Sequence, residues 1–170
     1  GSIVHHMGHS WVPLRSYGRG YRPFAWQVAP LIETIWLNEG FTWYISYAYV
    51  LERSGILNFY KRNMEEAPKF IKEKSLKELS LLGSSQYAAD FRIGKNLFSR
   101  GALLAHDLDM VIQKETNGQK SIKDALLGLL NWTKTNQRAF EYDEIEPIMS
   151  KATGVDLSTI WEQWQGGKLD

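Results

Sequence analysis

Residues 31–53 read LIETIWLNEGFTWYISYAYVLER, and apolar side chains run most of the way round the helix that this stretch would form. A helix with almost no wet face must be enclosed by other elements, so this one is expected at the centre of the core. Pro30 suits its first turn, where a proline forfeits no intrahelical hydrogen bond, and Gly55 suits its end. No run of period two appears anywhere, so the surroundings are expected to be helical as well. Residues 2–12 read as a short helix and 56–74 as a charged, exposed helical layer with a kink or break at Pro68. SLKELSLL (75–82) is a short amphipathic piece, and residues 13–29 and 83–96 read as polar connections. From Leu97 the helical period returns through Ala102, Leu104, Ala105, Leu108 and Ile112, and Asn117-Gly118 stops it. Ser121 with Asp124 has the spacing of a capping box for SIKDALLGLLNW. Asp143 can open YDEIEPIMSKATG, and Asp156 or Ser158 a last helix, STIWEQWQ. The expected fold class is therefore mainly α, one helical domain over residues 1–170. At 170 residues and 44% apolar, the chain can bury such a core.

Charge and composition exclude several roles. Twenty basic against 19 acidic residues, with no basic run, give no field that would gather nucleic acid or an anionic lipid surface. No stretch approaches the roughly 20 apolar residues of a membrane span. With no cysteine, disulfides and thiolate metal sites are excluded.

The chemistry is concentrated in HHMGHSW, residues 5–11. His5 and His9 lie four apart, the spacing that lets two imidazoles on one helix face share a cation. In the zinc-peptidase motif H-E-x-x-H the second residue is a glutamate that takes a proton; here it is His6. His6 and His9, three apart, could share a metal too, although adjacent His5 and His6 point about 100° apart on a helix. A third ligand is available in Glu39, an acidic residue in an otherwise apolar helix. A carboxylate placed there needs a metal or a positive partner, and Arg15 and Arg19 are candidates for the latter. Other residues have two readings each. His106 and Asp107 belong to a site or to a polar helix face. Arg15, Arg19 and Arg22 hold a substrate carboxylate or form a solvated loop. Trp36, Phe41, Trp43, Tyr44, Tyr47 and Tyr49 are explained by core packing.

HHMGHSW, followed by WLNEGFTWY, resembles the glycyl aminopeptidase family of zinc metallopeptidases, in the gluzincin clan with thermolysin and aminopeptidase N. The likeness continues in YVLERSGIL, FSRGALLAHDLDMVIQKETNGQKSIKDAL and ATGVDLSTIWEQW, in the family's order. It implies the helical subdomain of a thermolysin-like catalytic domain, with zinc as cofactor, His5, His9 and Glu39 as ligands, and a peptide as substrate or ligand. It also implies a β domain of the same protein before Gly1. Without that sheet, the first two helices would show an apolar face, and self-association is expected.

Two departures bear on activity. His6 occupies the position of the family's general base. Where the family pattern YY-x-KG carries a catalytic tyrosine, this sequence reads LFSRG, with Leu97 and Phe98. Losing general acid–base help costs on the order of 10² to 10⁴ in rate, and one oxyanion donor roughly 10² to 10³. Tyr87 could supply the missing hydroxyl from its loop. Three readings stay open: a degenerate family member that keeps its metal site, a metal-dependent hydrolase using His6 as base, and a helical binding or scaffolding module with neither metal nor catalysis.

Overall fold

The computed structural model describes residues 1–22, 27, 30–86 and 89–165. Eight α-helices form among them: α1 (Ser2–Gly8), α2 (Ile56–Glu65), α3 (Lys69–Lys72), α4 (Leu76–Gln86), α5 (Phe91–Glu115), α6 (Ile122–Asn136), α7 (Ile145–Thr153) and α8 (Ser158–Gln165). Between α1 and α2 runs the central helix, whose segments Trp36–Phe41 and Tyr44–Val50 have the wide turns of a π-helix. The described residues form no strand, only an isolated parallel bridge between Gly18 and Phe140 that ties the loop after α1 to the connection after α6. The fold is mainly α, as the patterning implies.

The central helix is buried as its sequence requires. Trp36, Leu37 and Phe41 have no exposed surface, and Tyr44 is nearly as enclosed. Its limits are narrower than Pro30 and Gly55 suggest. Residues 31–34 are not helical: Ser84 Oγ receives the N–H of Ile32 and donates to its carbonyl, and Ser80 Oγ receives the N–H of Trp36. These hydroxyls of α4 take the Ile32 carbonyl and the Trp36 N–H, which would bond each other in a longer helix, and the Ile32 N–H, which no helix would satisfy there. At the other end Arg53 N–H reaches back to Tyr47 O at 2.8 Å, and Glu52 adopts a positive φ of 44°.

The longest element, α5, begins earlier than Leu97. Asp90 accepts from the backbone N–H of Arg92, an N-cap that turns most of the supposed connection at 83–96 into helix, with α4 extending to Gln86. Ile93, Leu97, Leu104 and Leu108 then line its buried face. Gly101 on α5 meets the central helix at Gly40, and a Cβ on either glycine would overlap the partner backbone. The two helices therefore cross at backbone contact distance, which only glycine permits.

The layer at 56–74 is less exposed than its charge suggests. Pro68 breaks it as N-cap of α3, while Ile56, Tyr60 and Ile71 are buried. After α5 the stop and the α6 cap act as expected, but Asp143 does not open the next helix: Glu141 and Glu144 form a capping box around a 3-10 turn at Tyr142–Glu144, and α7 follows from Ile145. Asn117 and Gly118 take left-handed φ values of 51° and 75°, and Ser121 and Asp124 form a capping box. Asp109, 1% exposed, joins three elements: it accepts from Tyr44 Oη at 2.7 Å and from Ile122 N–H at 2.8 Å. No described helix is long and apolar enough to cross a membrane.

Candidate metal centre

The histidines reach the central helix because α1 packs on it without a side chain in between. A Cβ on Gly8 would lie 2.6 Å from Thr42 Cγ2, so the glycine of HHMGH is the contact point with the threonine of NEGFT. His9 follows α1 but keeps helical dihedrals (φ −64°, ψ −17°), so the four-residue spacing to His5 still brings the two rings together on one face, edge to face. Glu39 comes from the π-helical segment Trp36–Phe41, and wide turns of this kind recur at functional sites.

Three side chains converge. His5 Nε2 lies 3.0 Å from His9 Nε2 and 3.4 Å from Glu39 Oε2, and His9 Nε2 lies 3.5 Å from Glu39 Oε1. Their donor atoms all fall within 4.8 Å of one another. His9 Nδ1 donates to the Val12 carbonyl at 3.0 Å, which turns Nε2 towards the cluster. His5 Nδ1 is buried with no hydrogen-bond partner among the described residues, and the Trp43 ring stands edge-on to the His5 ring at 5.6 Å. The electrostatics follow from this packing. Burial by itself pushes the Glu39 carboxyl up, but hydrogen bonds from His5 and His9 override it and bring it down to about 2. The hydrogen bond to Glu39 raises His9 above its usual 6.5, against the opposing effect of burial. The cluster thus concentrates negative charge and lone pairs on a point that requires a cation, whether proton or metal.

A zinc ion suits these groups. Imidazole nitrogens and a carboxylate oxygen are ligands it takes, and around a tetrahedral ion with bonds near 2.0–2.1 Å they lie roughly 3.3 Å apart. The two imidazole nitrogens are 3.0 Å apart, and each lies 3.4 or 3.5 Å from a different Glu39 oxygen, so the spacings are of that size with the carboxylate turning one oxygen to each histidine.

The other sequence-derived candidates lie elsewhere. The exposed His6 ring is 5.6 Å from His5 and 6.3 Å from His9 between centroids, outside the convergent group. Arg19 pairs with Glu141 and Arg22 stands over the Tyr17 ring, so neither is the partner of Glu39; Arg15 is exposed. His106 packs beside the Tyr44 ring and Asp107 accepts from Trp164 Nε1, both serving the helix packing. Tyr87 lies outside the described residues. Leu97 is buried, and Phe98 lines a cavity of about 230 Å³ that Glu39 also lines. Tyr21, which no periodic or motif signal marks in the sequence, brings a phenol to the same cavity. Burial, aided by the Glu39 charge, raises its pKa, so it stays a proton donor at neutral pH.

No protein-family model matches the chain, and no curated protein does either. Among solved structures, the crystal structure of an aminopeptidase N family protein from Idiomarina loihiensis is similar over 99% of this chain, with a TM-score of 0.79 and 17% identity. The chain spans 31% of that protein's length. The chain thus shares the helical architecture of part of that structure.

Proposed function

We propose that this chain is a zinc-binding domain of the glycyl aminopeptidase type whose power to hydrolyse peptides is reduced or lost. The observation that carries the reading is the convergence of His5 Nε2, His9 Nε2 and the Glu39 carboxylate at separations of 3.0–3.5 Å, from two helices locked together at Gly8 and Thr42. His5, His9 and Glu39 would hold the ion, which when bound supplies Lewis-acid polarisation of a carbonyl. The protein's own groups then decide the rate. His6 stands at the general-base position with an imidazole in place of a carboxylate, and its ring is exposed. Phe98 offers no hydroxyl to a developing oxyanion, whereas Tyr21, on the same cavity, offers one.

Metal content after dialysis against zinc-free buffer tests this first. About one zinc per chain is expected by mass spectrometry, and its loss in His5→Ala and in Glu39→Ala. Absence of zinc, with no uptake on addition, would leave a helical scaffolding module. Aminopeptidase assays on His6→Glu then separate the remaining readings. A gain in rate, larger when combined with Phe98→Tyr, supports a degenerate site. A fall in rate identifies His6 as a working base.

A further inference from the structure

The two histidines of the centre are held in unlike ways. His9 Nδ1 donates to the Val12 carbonyl at 3.0 Å, so a neutral His9 ring presents a bare Nε2 to the cluster. The hydrogen bond of 3.0 Å between His5 Nε2 and His9 Nε2 then takes its proton from His5. Glu39 Oε2, 3.4 Å from the same His5 nitrogen, is a second acceptor for that proton. His5 Nδ1 is thereby left bare. It is buried, with no hydrogen-bond partner among the described residues. The Trp43 ring packs against the His5 ring, with centroids 5.6 Å apart and planes at 76°. Tyr47, Tyr60 and Phe98 pack on the indole in turn, and Tyr60 Oη donates to the Trp43 carbonyl at 3.4 Å. The indole is thus held where it stands.

We infer that Trp43 is a positioning residue that sets the metal affinity of this centre, because it fills the space beside His5 with a ring that accepts no hydrogen bond. The inference rests on the proposed function for the ion, and on geometry for the proton. A zinc-bound imidazole coordinates through a bare nitrogen, and its other nitrogen carries the proton. For His5 this moves the proton from Nε2 to Nδ1, where an indole, a donor only, offers it nothing. A buried N–H without an acceptor keeps the full penalty of its lost hydration. Ligating histidines are usually spared this by a carboxylate, a carbonyl or a water, and losing such a partner lowers metal affinity about 10- to 100-fold. His9 has that partner in Val12, and His5 has none among the described residues. The centre therefore holds zinc less tightly than its three donors alone would allow, with His5 as the weak arm.

Two measurements test this. Histidine ¹⁵N signals of the chelated protein at mildly alkaline pH report the tautomers, and competition with a chelating dye reports zinc affinity. The parent is expected to carry the His5 proton on Nε2 and the His9 proton on Nδ1. Trp43→Glu and Trp43→Gln put a carboxylate or an amide oxygen where the indole stood. Both are expected to move the His5 proton to Nδ1 and to tighten zinc binding about 10- to 100-fold. The amide has no charge, so a gain shared by the two variants belongs to the hydrogen bond. Trp43→Phe keeps a ring without an acceptor and is expected to match the parent in both measurements. Should the polar variants fail to fold, the chelated parent decides: a His5 proton on Nε2 upholds the inference, and one on Nδ1 overturns it. Folded polar variants that bind zinc no more tightly than the parent overturn it and leave the metal reading standing. Tightening by Trp43→Phe, an effect of ring size, overturns it as well. No zinc uptake by the parent or by any variant removes the metal reading, and the affinity claim with it.

Discussion

At His9 two hydrogen bonds act in the same direction: the Val12 carbonyl and the Glu39 carboxylate both stabilise the protonated ring. This makes the metal-free centre an ion pair whose worth depends on pH in a definite way. Glu39 is lowered on folding, from 4.5 to about 2, so its contribution is complete above about pH 4.5 and is lost as pH falls towards 2. His9 is raised, so its contribution is complete below 6.5 and is lost as pH climbs through the folded value. Urea midpoints of the chelated protein and of Glu39→Gln should therefore differ most between about pH 4.5 and 6.5, with the gap closing on either side. A gap independent of pH would dismiss the ion pair. Tyr21 gives a second residue-level measurement. Its phenol should titrate above the usual 10, seen as a high-pH absorbance step missing from Tyr21→Phe. His5 and His9 were legible from spacing alone, and so was the oddity of a carboxylate at position 39. Tyr21 was not, because a loop tyrosine carries no period and is brought to Glu39 by the path of the chain.

Between elements, the contact that sets the site is the crossing of the central helix and α5 at Gly40 and Gly101. Gly101→Ala places a methyl against the Trp36 carbonyl, where neither backbone can yield without moving Glu39. An overpacked contact of this kind costs about 1–3 kcal/mol, which a lowered urea midpoint with unchanged slope would register. A variant as stable as the parent would show that the helices are not held at that distance. Ser121→Ala should cost about 0.5–2 kcal/mol by the same measurement, through loss of the α6 capping box. That cap could be read in advance, since both partners lie three residues apart on one strand of sequence. The start of α5 was readable too, in Asp90, but the polar composition of residues 83–96 obscured it. The wide turns of the central helix and its late start had no local sign. The late start depends on Ser80 and Ser84, more than 40 residues away, taking hydrogen bonds at Trp36 and Ile32.

On the scale of the whole molecule, apolar groups gather on the surface around α1. Ile3 is 76% exposed, Met7 67% and Trp11 49%, with Val50 at 55% on the end of the central helix. Met7, Trp11 and Val50 border a groove of about 300 Å³ whose other lining includes Phe41, Ile45 and Leu126. Exposed surface of this kind drives association. Sedimentation should show the average mass rising with concentration, and Met7→Ser with Trp11→Ser should restore the monomer. A parent that sediments as a monomer at every concentration would rule the association out.

The sequence by itself determined the mainly helical class, the central place of the helix within residues 31–53, the capping box of α6 and the pairing of His5 with His9. Each of these is set by spacing within a few residues, where helical geometry leaves no choice. Only the tertiary structure decided that Glu39 meets the two histidines, that Arg15 and Arg19 do not, and that a cavity lies beside Glu39. Those outcomes depend on how closely helices approach at Gly8, Gly40 and Gly101, and on hydrogen bonds between residues far apart in the chain. No local pattern encodes such a distance, because it is the balance of packing across several elements at once.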